Sequence, residues 1–118
     1  MWLAYNVVVK LPSGDQALVE EPKLRDYVLN ARHPVGRHLA ALFWDLLGIG
    51  TGNMEVLESA LLRAAATEPV TREVRTGYGV KYEMRFELSS PRGNRPVRAV
   101  WIIEEGATRP RLVTCFVE

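Results

Sequence analysis

The sequence predicts an α+β fold, with an N-terminal hairpin and helices packed on one face of a mostly antiparallel β-meander of about four strands. Two patterns carry this expectation. Apolar residues recur at helical spacing through residues 22–67. Beyond residue 70 the pattern changes to the strict alternation of "GVKYEMRFEL", broken by the turn signal "SSPRGN". A length of 118 residues is that of one domain, so residues 1–118 are expected to share a single core.

The chain opens on "LAYNVVV", rich in β-branched and aromatic residues. The turn "LPSGD" and a second short apolar run, "QALVE", follow it. Together they predict a β-hairpin over residues 1–20, which either extends the sheet or mediates dimerisation. Pro22 suits the first turn of a helix, and Leu24 and Val28 stand four apart, so a short helix is expected to end near Asn30. Pro34 disfavours helical geometry at His33 and breaks the pattern there.

A second helix is expected over residues 37–47, stopped by the glycines of "GIGTGN". That stretch follows a helix rather than a strand and lacks the Gly-Lys-Ser/Thr of a phosphate loop, so it reads as a helix–helix connection. Asn53 is placed to cap a third helix, whose stripe of Met54, Leu57, Leu61 and Ala65 has the helical period and which ends near Pro69.

"VTREVRT", before Gly77, is the expected first strand of the meander. In the second, Val80, Tyr82, Met84, Phe86 and Leu88 point one way, and Lys81, Glu83, Arg85 and Glu87 the other. One face is therefore buried and the other wet. "PVRAVWII" is apolar on both faces after Arg98, which predicts a central strand with Trp101 in the core. "RPRLVTCFVE" completes the sheet.

Composition excludes several function classes. A net charge of +1 does not match the basic excess of nonspecific nucleic-acid binders, although a local basic patch remains compatible with it. Cys115 stands alone, so neither an internal disulfide nor a cysteine zinc site can form, and it is expected to be a small core residue. Two histidines without a suitably spaced acidic partner make a poor metal site; no metal and no cofactor are expected. No apolar run approaches the roughly 20 residues of a membrane span, and "MWLAYNVVVKLPSGD" lacks the features of a signal peptide. A cytoplasmic protein with no membrane partner is the expectation.

Both histidines fall in "ARHPVGRHLAALFWDLLG". Histidine exchanges protons near neutrality, as metal-free RNA cleavage requires, and His33, Arg37 and His38 lie at a helix N-terminus, which favours anions. The alternative is structural: His33 anchors the interhelical loop through a backbone hydrogen bond, and His38 is simply exposed. On the sheet, Arg75, Lys81, Arg85 and Arg98 are expected to share the polar face with Glu73, Glu83 and Glu87. That mixture serves either cross-strand pairing or the binding of a phosphodiester, with Arg111 adding to the basic set. Alternation leaves open whether Thr114 points to the Arg98 side or to the core.

"KLRDYVLNARHPVGR", "YGVKY", "VWI" and "PRLVT" occur in this order over about residues 16–116. The set resembles a family of small bacterial domains of unknown function. Its order of helices and then meander is similar to the barnase–EndoU–colicin–RelE ribonuclease toxins. That resemblance implies a metal-independent ribonuclease of toxin–antitoxin type, with His33 and Arg37 opposite Lys81 and Thr114 across a cleft between helices and sheet. RNA and a small antitoxin-like protein are then the expected partners. The chain departs from the family pattern at Leu39, usually lysine, and at Phe116, usually tyrosine. If those groups carry the chemistry, what remains is a noncatalytic interaction module, homodimeric or paired with a small protein. The apolar "WLAYNVVV" and "AVWII" fit that alternative.

Overall fold

In a computed structural model, which describes residues 9–118, a helical layer covers one face of a four-stranded antiparallel sheet. Helix α1 (Glu21–Lys23) runs directly into a π-helical turn (Leu24–Val28), in which the Leu29 N–H donates to the Leu24 carbonyl. Helix α2 (Arg37–Leu47) ends at Gly48, whose φ of 68° is left-handed. The following N–H of Ile49 reaches back to the Phe43 carbonyl and closes the helix end.

Asn53 does not cap α3 (Met54–Thr67) with its side chain. Its carboxamide turns backwards instead, accepting from Gly50 N–H and donating to the Gly48 carbonyl. A 3-10 turn at Thr51–Asn53 precedes the helix and draws that side chain into the loop.

The strands β1 (Val70–Thr76), β2 (Gly79–Ser90), β3 (Gly93–Glu104) and β4 (Arg111–Val117) pair in sequence order. The long central strands follow the expected alternation. Met84 lies opposite Ala99 and Tyr82 opposite Trp101, all four facing the helices. Phe43, Leu47, Leu57 and Leu61 of the helical layer and Trp101, Val97 and Cys115 of the sheet are fully buried in one core. At the start of β2, a Cβ on Gly79 would stand 2.3 Å from the Ile103 carbonyl oxygen, so only glycine lets the first hairpin close on β3.

The first arm of the expected N-terminal hairpin falls mostly outside the described residues. Within them, Lys10 bridges Pro69 and Leu18 bridges Arg111, so this segment touches β4 at one edge and the lead-in to β1 at the other.

Candidate functional site

The sequence sets β2's outer face by alternation, and the strand register determines what joins it. Lys81, Glu83 and Arg85 leave the sheet on the side away from the helices. Arg98 stands opposite Arg85, and Phe116 stands opposite Arg98 on the next strand. A bulge in the β3–β4 ladder lets Leu112 pair with Trp101 on the core side while Thr114 pairs with Val100 on the outer side. The ambiguity at Thr114 therefore resolves toward Arg98. Arg111, opposite Ile102, joins the same face.

Arg75 does not. A two-residue turn sets Thr76 opposite Gly79 and thereby Arg75 opposite Val80, whose side chain packs against the core. Arg75 and Glu73 thus belong to the other face at the exposed edge strand, where they contact each other at 3.7 Å. Arg72 takes the outer position instead, opposite Glu83.

Opposite charges order this face. The Glu83 carboxylate lies 3.4 Å from Arg98 and 3.7 Å from Arg72. The Glu118 carboxylate accepts from Arg85 Nε at 2.7 Å and from Arg98 Nε at 3.0 Å. Side chains of Glu83, Arg98 and Glu118 are only 22%, 28% and 27% exposed, so the cluster is held rather than splayed into solvent. Partial desolvation pushes the Glu118 carboxyl up, but the hydrogen bonds and charges of Arg98 and Arg85 outweigh it and hold the group below its usual range. Arg111 is shared between Glu104 and Glu20. Among the described residues, Lys81 forms no ion pair, which leaves its ammonium available on this face.

His33 has a different task. Its Nδ1 accepts from the backbone N–H groups of Val35 at 3.0 Å and Gly36 at 2.8 Å, and its carbonyl accepts from Arg37 N–H. The ring stands edge-on to Tyr27, with centroids 5.1 Å apart. Pro34 forces the chain out of the first helix, and His33 satisfies the N–H groups exposed at that break. Arg37 and His38 are exposed in the first turn of α2. These three residues belong to the helical layer, whereas Lys81 and Thr114 project from the far side of the sheet. The expected arrangement across a helix–sheet cleft is therefore not formed, because the core fills the space between the layers.

Sequence reasoning singled out Lys81, Arg85, Arg98, Arg111 and Thr114, which share the outer face by register, with Arg111 tied to Glu20 and Glu104 at its edge. It missed Glu83, Arg72 and Glu118 as site residues. Glu83 was legible as a carboxylate between two cations on one strand face; Arg72 and Glu118 depended on register. Among the described residues, no three His, Cys, Asp or Glu side chains converge as metal ligands do. No described helix is long and apolar enough to cross a membrane.

The helical layer carries a separate feature. Leu29, Ala31, Ala40, Trp44, Ile49 and Asn53 line an open cleft of about 620 Å³. Trp44 is 53% exposed there, with the Arg92 guanidinium 5.1 Å from its ring centre and donating to its carbonyl.

Residues 10–118 match the family described as Domain of unknown function (DUF6883), and the chain belongs to that family. No curated protein matches it. Among solved structures it is similar to a chain of a contact-dependent growth inhibition toxin–immunity protein complex from Klebsiella pneumoniae 342. The TM-score is 0.70 at 14% identity, covering 90% of this chain and 97% of that one. The likeness is one of fold.

Proposed function

We propose that this member of the DUF6883 family is a metal-independent ribonuclease of toxin type, working on the outer face of its sheet. The observation that carries the reading is the Glu83 carboxylate held between Arg98 at 3.4 Å and Arg72 at 3.7 Å, two residues along β2 from Lys81, which has no ion-pair partner among the described residues. Cleavage by this route needs a base for the ribose 2′-hydroxyl, an acid for the departing 5′-oxygen and cations around the phosphate.

Glu83 takes the 2′-hydroxyl proton. The 2′-oxygen attacks phosphorus, and the bond to the 5′-oxygen breaks as Lys81 gives that oxygen a proton. Arg85 and Arg98 hold the nonbridging oxygens, replacing the Glu118 carboxylate with phosphate as their counter-charge. Thr114 supplies a hydroxyl on the neighbouring strand. In this reading His33 positions the loop before α2 rather than moving protons. The fold shared with a chain of a toxin–immunity protein complex supports a place in a toxin system of that kind.

Glu83→Gln removes the base while keeping shape. Incubating purified protein with single-stranded RNA in the presence of a chelator should show cleavage by the wild type and a loss of roughly a hundredfold or more in the variant. Equal rates for the two proteins, or no cleavage by the wild type, would overturn the reading.

A second observation supports a partner protein. Trp44, exposed over an apolar cleft, has the character of a binding hot spot, and a small partner docking there would leave the sheet face unobstructed. Trp44→Ala should weaken capture of such a partner without changing the melting temperature.

A further inference from the structure

The outer face is not purely polar. Cys115 and Val117 are buried in the core, so Phe116 between them projects to the opposite side. It pairs with Arg98, which is already opposite Arg85. Thr114, two residues earlier on the same strand, shares its face, and Val100 lies opposite Thr114. Phe116 is half-buried and, among the described residues, lies outside the main hydrophobic core; its register position is next to Arg98, with Arg85 one strand further across the same face.

We infer that Phe116 is a stacking platform for a nucleobase, and that the site takes an unpaired nucleotide of single-stranded RNA. The inference rests on the proposed use of Arg85 and Arg98 as phosphate ligands. Each nucleotide joins one anionic phosphate to one flat base, and neighbouring positions across a sheet offer a guanidinium pair and a ring. Every base presents a π-face, so such a platform tolerates different sequences. A base inside a duplex has both faces covered by its neighbours and cannot stack on Phe116. Selectivity for unpaired RNA therefore arises without any base-edge contact.

The test uses a 2′-O-methyl oligonucleotide, which lacks the attacking hydroxyl and stays intact, with fluorescence anisotropy as the readout. The wild type should bind the single strand more tightly than the same sequence in a duplex. Phe116→Leu keeps the apolar volume without a flat ring and should weaken single-strand binding roughly tenfold or more. Phe116→Trp should retain it, and thermal melts of both variants check that the fold is kept. Unchanged binding by Phe116→Leu, or equal binding of single strand and duplex, would overturn the inference. These results are separable from the cleavage assay: if the wild type cleaves RNA and Glu83→Gln does not, while Phe116→Leu binds normally, the stacking role fails and the ribonuclease reading stands. Ring-dependent binding by a protein that cleaves nothing would give the reverse outcome.

Discussion

Arg85 and Arg98 lie directly opposite each other on β2 and β3, and a single carboxylate, Glu118, bridges them at 2.7 and 3.0 Å. Like charges in that relation repel, so the bridging carboxylate is what allows two cations to occupy one position of the ladder.

Glu118 should therefore stabilise the fold in a pH-dependent way. Its carboxyl is held below its ordinary value of 4.5 in the folded state, so the native state binds that proton less readily than the unfolded chain. The stabilisation is present above the unfolded value and lost as pH falls through the lower folded one. Thermal melts of the wild type and Glu118→Gln should differ at pH 7 and converge in acid below pH 4.5. A gap that stays constant down to the acid limit would contradict this linkage.

His33 should behave as a structural residue. His33→Ala leaves two backbone N–H groups without their acceptor and should cost about 1 kcal/mol, by analogy with the loss of a helix cap. Urea unfolding would measure that loss. Once the variant is folded, its RNA cleavage rate should stay within about twofold of the wild type, whereas a general acid or base would cost about a hundredfold or more.

Gly36 is required by space. A Cβ there would stand 2.1 Å from the Tyr27 carbonyl oxygen, and neither backbone can yield easily. Gly36→Ala should destabilise the domain by roughly 1–3 kcal/mol, as overpacking does, and should disturb the His33–Tyr27 contact. A shift in the urea midpoint reads the first effect, and tyrosine resonances in NMR spectra the second.

Cys115 should be inert while the domain is folded. It is fully buried, and burial pushes its thiol well above the usual range, so almost no thiolate is present at neutral pH. A thiol reagent should react at the rate of unfolding, and at full speed in denaturant. Rapid labelling of the native protein would show that β4 opens readily.

The helix break at Pro34 and the buried face of β2 were legible because both depend on local sequence. Pro34 acts through its own ring, and the alternation from Val80 to Leu88 places those side chains on one face in any extended strand. The structural alternative for His33 was legible for the same reason, since the N–H groups it serves are two and three residues away. Arg75 and Thr114 were not. A two-residue turn set the face of the first, and a bulge in the β3–β4 ladder set the face of the second. Neither pairing is encoded within the strand it affects.

By itself the sequence determined the α+β class, the order of helices and meander, the core position of Trp101 and the mixed-charge outer face of β2. Each follows from spacing within one segment. Only the tertiary structure decided which other residues share that face: it added Arg72, Thr114, Phe116 and Glu118 to Lys81, Glu83, Arg85 and Arg98, turned Arg75 and Glu73 away, and left His33 and Arg37 in the helical layer. The physical reason is that cross-strand register joins residues distant in the chain, and a one-residue slip moves a side chain from one face to the other.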